Sequence, residues 1–192
     1  MIAIVDYGLG NIANVRRALE YLGYEVQLTK DPDALRRANA LILPGVGHFG
    51  DAMRKLEADG LIPVLAELKD AKPFVGICLG MQLLYEESEE GNVKGLGFLP
   101  GKIERIRTKL PVPHLGWNQL KSEDETLHKD VYFIHSYRAV PDDLTVASAE
   151  YGGAEVVGIV QKDNLIGIQF HPEKSGDAGL EILDRAMKGG FR

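Results

Sequence analysis

An α/β fold is predicted, with an open, mostly parallel sheet flanked by helices and antiparallel strands added in the second half. Three features carry that reading. Short apolar runs alternate with helix-like patterns from the amino end to about Tyr85, the rhythm of a parallel sheet with crossover helices. From Lys102 onward the pattern changes to closely spaced short strands, which suits antiparallel pairing. No repeat, linker or low-complexity stretch divides the 192 residues, a length that suits one domain able to bury its own core.

Ile2 to Val5 reads as a buried first strand. It leads through a turn, Asp6-Tyr7-Gly8-Leu9-Gly10-Asn11, into a helix with Ile12, Val15, Leu19 and Leu22 on one face, and Gly23 stops that helix. The turn admits two readings. Gly8, Gly10 and Ala13 satisfy G-x-G-x-x-A after a strand, and Asp31 stands at the spacing of a ribose-binding acid, the pattern of a dinucleotide site. Asp31-Pro32 also reads as a helix N-cap followed by proline at the first helical position.

Tyr24 to Thr29 is the second strand, Asp31 to Arg37 a short helix and Ala40 to Leu43 the third strand. The segment Pro44-Gly45-Val46-Gly47-His48-Phe49-Gly50 then puts backbone with few side chains at the carboxyl edge of the sheet, where its N–H groups can face a ligand. An ordinary tight connection reads the same way. Helices follow at Asp51 to Ala58 and from Pro63 to about Asp70.

Phe74 to Ile77 forms the fourth strand and runs into Gly76-Ile77-Cys78-Leu79-Gly80, with a helical pattern from Gly80 to Tyr85 beyond it. Strand, sharp turn and helix, with small residues flanking a nucleophile, is the design of the nucleophile elbow, here with a thiol for the usual hydroxyl. A helix N-terminus behind Cys78 favours its thiolate. The competing reading is a buried, inert cysteine.

Glu86-Glu87-Ser88-Glu89-Glu90-Gly91 reads as a solvated helix end, and Gly95 to Lys102 fails as a phosphate loop because Ile103 stands where Ser or Thr is needed. Strands are then predicted at 103–107, 119–122, 131–134, 144–150, 156–161 and 165–170, with Lys162-Asp163-Asn164 as a hairpin loop and a final helix from Asp177 to Met187.

Composition narrows the function classes. A net charge of −6 and a pI near 5.4 argue against a nucleic-acid partner. A single cysteine cannot make an internal disulfide, no run nears the ~18 apolar residues of a membrane span, and the amino end enters a strand directly, so a cytoplasmic protein with no membrane partner is expected. His48, His114, His128 and His135 lack metal-site spacing, so no metal is expected. The remaining histidine closes the last strand in Phe170-His171-Pro172-Glu173. In an extended segment His171 and Glu173 would address one point, giving a base for Cys78 and a carboxylate to orient that base.

Pro44-Gly45-Val46-Gly47, Gly76 to Gln82 and His171-Pro172-Glu173 together resemble the class I (triad) glutamine amidotransferases. Asp6 to Asn11, Phe49 to Met53, Gly116-Trp117-Asn118, Phe133 to Tyr137 and Lys174-Ser175-Gly176 are similar to the branch that serves imidazole glycerol phosphate synthases. The resemblance spans essentially the whole chain and implies a flavodoxin-like sheet in one glutamine amidotransferase domain over residues 1–192. It implies a glutaminase without cofactor, in which Cys78 attacks the side-chain amide of glutamine, His171 serves as base and Glu173 orients it. Leu79 N–H with Val46 or Gly45 N–H would form the oxyanion hole, and Gln82, Ser136 and Tyr137 would hold glutamine. It further implies a heterodimer with a (β/α)8 cyclase subunit, contacted by Gly8, Gly10, Asn11, Trp117 and Lys174, which would receive the ammonia. Liganded cyclase would complete the Pro44 to Gly47 donor. The glutaminase subunit of another synthase, such as anthranilate synthase, and a dinucleotide-binding module are the alternatives.

Overall fold

The computed structural model describes residues 1–191. In chain order the strands and helices are β1 (Ile2–Val5), α1 (Ile12–Tyr21), β2 (Val26–Thr29), α2 (Pro32–Arg37), β3 (Ala40–Leu43), α3 (Phe49–Ala58), α4 (Leu61–Leu68), β4 (Phe74–Ile77), α5 (Leu79–Leu83), β5 (Tyr85–Ser88), β6 (Val93–Lys94), β7 (Leu99–Arg105), β8 (His114–Gln119), β9 (Asp130–His135), β10 (Tyr137–Ala139), β11 (Thr145–Tyr151), β12 (Ala154–Lys162), β13 (Leu165–Ile168) and α6 (Gly176–Met187). Seven strands make the main sheet, in the order β11-β12-β13-β4-β3-β1-β2. From β13 to β2 the neighbours run parallel, and β12 and β11 add to one edge antiparallel.

Both faces of the parallel part are buried, which is why its strands read as unbroken apolar runs. Successive side chains point to opposite faces. Ala3, Val5, Leu41, Leu43 and Phe74 enter one core, with α3, α4 and the segment after α5, while Ile2, Ile4, Ala40, Ile42, Val75 and Ile77 enter the other, with α1 and α6. Asp31 caps α2, accepting from the N–H groups of Asp33 and Ala34, with Pro32 opening the helix. The acid that the dinucleotide reading needs for a ribose is thus engaged by backbone.

The second half departs from expectation in three places. Residues 85–91 form β5 and a turn, not a helix end. Tyr85 and Ser88 are buried in a small sheet ordered β10-β7-β5-β6, and Glu86 and Glu89 accept from the backbone N–H groups of Gly101 and Arg105. The strand expected at 103–107 begins at Leu99, because Leu99 and Ile103 are the residues buried against β5. The strand expected at 119–122 is β8, which pairs antiparallel with β9 into a two-stranded ribbon; Lys121 makes only an isolated bridge to Ser148.

Candidate active site

Three adjacent parallel strands, β3, β4 and β13, end at the same edge of the sheet. Leu43 lies beside Gly76, and Ile77 beside Ile168. The residues that follow these positions, Pro44 to Gly47, Cys78 and His171, therefore converge where a parallel sheet places its ligands.

The turn at Cys78 is set by steric exclusion. Cys78 has φ 55° and ψ −111°, a left-handed conformation costly for a residue with a Cβ. Its N–H donates to Ile168 O at 2.8 Å and its carbonyl accepts from Gln82 N–H, which ties the strained residue at both ends. A Cβ on Gly80 would lie 1.8 Å from Leu43 O, and one on Gly76 2.7 Å from Gly80 O. Only glycine lets the elbow fold back so tightly against β3. Gly45 is held the same way, since its Cβ would meet Gly80 N at 2.7 Å. Tyr7, buried beneath this contact, donates its hydroxyl to Pro44 O at 2.6 Å; burial first, and then the nearby Cys78, push its pKa up.

His171 Nδ1 donates to Glu173 Oε1 at 2.7 Å, with both side chains almost wholly buried. Burial alone would lower the His171 pKa, but hydrogen bonds to Cys78 and Glu173 outweigh it and hold the imidazole well above its ordinary value. For Glu173 burial also opposes the charge, and the bonds from His171 and Asn11 bring the carboxyl below its usual range. The extended run expected from His171 to Glu173 is not what the chain forms. His171 is extended, but Pro172–Lys174 forms a 3-10 turn, so Glu173 reaches back to His171 around that turn and not along a strand.

A cavity of about 360 Å³ opens over Cys78, lined among others by Val46, Leu79, Gln82, Ser136, Tyr137 and His171. Gln82 Nε2 donates to Tyr137 O and to Gln169 Oε1, both at 3.0 Å, and Gln169 Nε2 stands 4.0 Å from Cys78 Sγ. The far wall holds His135, and a second buried, neutral histidine, His114, packs behind it. His135 Nδ1 donates to Tyr137 O, so its Nε2 accepts from His114 Nδ1, whose ring is stacked between Phe133 and Tyr151. Burial holds His114 at about 4; at His135 burial outweighs the bond to Tyr137 O, and the smaller effects of His114 and His171 act with burial, to about 3.

Three residues of the site are not expected from sequence: Glu90 and His135, which line the cavity, and Gln169, buried beside Gln82 and Cys78. Glu90, taken for part of a solvated face, lines the cavity and accepts from Phe49 N–H at 2.8 Å, which orders the start of α3. His135 also lines it. Gln169 precedes His171 by two, and an alternation argument along the last strand would have found it.

The residues expected at a partner surface divide. Trp117 is 60% exposed on the ribbon and packs edge-on against Tyr132, whose ring lies 6.0 Å from Lys174 Nζ. Gly8 is exposed; Gly10, at φ 139°, abuts Pro44. Asn11 turns its side chain to Glu173.

The family model for class-I glutamine amidotransferases matches residues 3–188. The chain is 56% identical over 191 residues to the imidazole glycerol phosphate synthase subunit HisH of Staphylococcus aureus, covering 100% of this chain and 98% of that one; the subunit from Staphylococcus epidermidis gives the same figures. Among solved structures, a glutamine amidotransferase superposes with TM-score 0.77 at 21% identity, covering 94% of this chain and 95% of that one. PurLQS from Thermotoga maritima gives 0.71 at 22% identity, with 97% and 96% covered.

Proposed function

We propose, from the premise that the chain belongs to the class I glutamine amidotransferase family, that Cys78, His171 and Glu173 are the triad of its glutaminase reaction. The chain is the glutaminase subunit of an imidazole glycerol phosphate synthase, a member of an enzyme that makes an intermediate of histidine biosynthesis. The observation that carries the triad is the strained Cys78 elbow lining one cavity with a histidine that is itself bonded to a buried carboxylate.

The thiol gives its proton to His171 Nε2, and the thiolate attacks the δ-carbon of glutamine. The carbonyl π pair moves to oxygen. Leu79 N–H, at the first position of α5 and therefore without an intrahelical acceptor, donates to that oxyanion together with Val46 or Gly45 N–H. Each such donor contributes roughly 3–4 kcal/mol to the transition state in other acyl-transfer enzymes. When the C–N bond breaks, the imidazolium protonates the leaving nitrogen and ammonia departs. Water, deprotonated by His171, then cleaves the γ-glutamyl thioester to glutamate and restores the thiol. Glu173 keeps the Nδ1–H tautomer throughout. Gln82, Ser136 and Tyr137 bind the substrate, and the Glu90 carboxylate in the cavity wall suits its α-ammonium group.

The chain acts as a subunit of a synthase, and its partner in this reading is a (β/α)8 cyclase that consumes the ammonia. The ribbon supports this. Leu115 and Trp117, two apart on β8, are exposed beside Ile134 of β9, which also lines the cavity. Apolar side chains in water at the mouth of a site favour a protein cover. No helix among the described residues is long and apolar enough to cross a membrane, and the reading places the enzyme in the cytoplasm.

Cys78→Ala tests the reading. In complex with the cyclase it should lose glutamine-dependent synthesis entirely while synthesis from free ammonium continues at the wild-type rate. Loss of both would show that the residue holds the fold or the interface and not the chemistry.

A further inference from the structure

Asn11 occupies the N-cap of α1, where an asparagine side chain ordinarily accepts from the first helical turn, yet it makes no capping bond. Its amide is used elsewhere. Nδ2 donates to Glu173 Oε1 at 2.9 Å, and Oδ1 accepts from Asn14 Nδ2 at 2.8 Å. The carboxylate can only accept, and Asn14 supplies the donor on the other side, so the amide has one satisfying orientation. Glu173 Oε1 thus receives two side-chain donors, Asn11 and His171 Nδ1–H, whereas Oε2 is buried with none. The Glu173 side chain has no solvent exposure, so its charge and rotamer depend on those donors and on its own backbone N–H.

We propose that Asn11 is a positioning residue of the glutaminase site, fixing the Glu173 carboxylate in the rotamer that meets His171 Nδ1 and so aiming His171 Nε2 at the Cys78 thiol. The inference rests on the triad assigned above. It gives Asn11 a role separate from contact with a partner subunit. Three elements distant in sequence meet through this one side chain: the start of α1, the turn after β13 and, through His171, the elbow after β4. Helix α1 packs directly on the Pro172–Lys174 turn, which keeps the amide within reach. The Glu173 carboxyl is held below its usual range in part by this bond, consistent with the geometry.

The experiment is glutamine hydrolysis across pH 5–9 in the complex with saturating cyclase subunit, for wild type, Asn11→Ala and Asn11→Asp. Asn11→Ala should lower kcat about tenfold, since an orienter one step from the base contributes less than the base itself. KM for glutamine should hold, because Asn11 is not among the residues lining the cavity. The acid limb of kcat should move to higher pH, because a carboxylate that loses a donor is protonated more readily. Asn11→Asp should behave oppositely: its carboxyl can donate to Glu173 only while protonated, so activity should approach wild type at the acid end and fall as pH rises. Ammonium-dependent synthesis should be unchanged in both variants, which reports an unaffected cyclase, and the saturation curve for the partner reports assembly. Wild-type kcat and pH profile in Asn11→Ala, or parallel losses in both variants at every pH, overturn the inference. So does a deficit that disappears as the partner reaches saturation, which would make Asn11 an interface residue only. A wild-type complex that releases no glutamate overturns the triad assignment, and this inference with it.

Discussion

The elbow at Gly76 to Gly80 and the loop at Pro44 to Gly47 face each other beside Cys78, yet they are held by different means. In the elbow every glycine is in contact: a Cβ on Gly76 or Gly80 would sit inside the van der Waals radius of backbone atoms. The first half of the donor loop shares that restraint through Gly45 and the Tyr7 hydroxyl. Its second half does not. Val46 is 38% exposed, and a Cβ on Gly47, at φ 100°, would meet nothing within 4 Å. The thiol is therefore fixed by close backbone packing, whereas the Val46–Gly47 part of the loop lies where neighbouring atoms leave open space. Under the proposed mechanism that division lets an oxyanion donor change its orientation without disturbing Cys78.

The largest test of this contrast is Gly80→Ala. With Leu43 O only 1.8 Å from the added carbon, β3 and β4 would have to part, so a loss of more than ~3 kcal/mol in chemical denaturation is expected, to the point of failure to fold. Gly47→Ala should cost only the strain of a positive φ, about 1 kcal/mol, with a correspondingly small drop in Tm. Its effect should fall on glutaminase rate and on the ratio of rates with and without partner. Equal destabilisation by the two alanines would erase the distinction between a locked elbow and an open loop.

A smaller effect separates both loops from the wall opposite them. His114 and His135 are held far below the ordinary histidine pKa, so the unfolded chain binds protons that the folded chain refuses. Their contribution to stability is intact above about pH 6.5 and is lost as pH falls from there toward the folded values near 4 and 3. Between pH 7 and 5 the loss is roughly 2 kcal/mol for each histidine. His114→Phe, which keeps a ring between Phe133 and Tyr151, should lose about that much less over the same interval in denaturant titrations. An unchanged pH slope would place the acid sensitivity elsewhere.

The parallel half was legible because burial on both faces writes a strand as a plain apolar run. Ile2–Val5, Ala40–Leu43 and Phe74–Ile77 are strands at the limits expected from sequence alone. The small sheet hid itself. Tyr85-Glu86-Glu87-Ser88 buries only its end residues, a period that neither strand alternation nor a helix face announces. At the site, Cys78 and His171 could be read from their turn chemistry, since Gly and Pro constrain backbone locally. Asn11 and Glu90 could not be given their positions that way. Their partners, Glu173 and the Phe49 N–H, lie 162 and 41 residues away, and an asparagine at a helix start looks like any N-cap until its side chain is seen to point elsewhere.

The place of β4 in the sheet, between β3 and β13, has a consequence for the order in which the protein is made. β3 is synthesised before the thiol, but β13, which brings the base, leaves the ribosome only when most of the chain is already outside. Until then β4 is an edge strand with unpaired backbone and a cysteine at its tip, open to pairing with a neighbouring nascent chain or to oxidation. The closing β12–β13 hairpin therefore does more than finish the architecture. It ends the interval in which Cys78 is accessible but its proposed base is not yet in place, and translation sets the length of that interval.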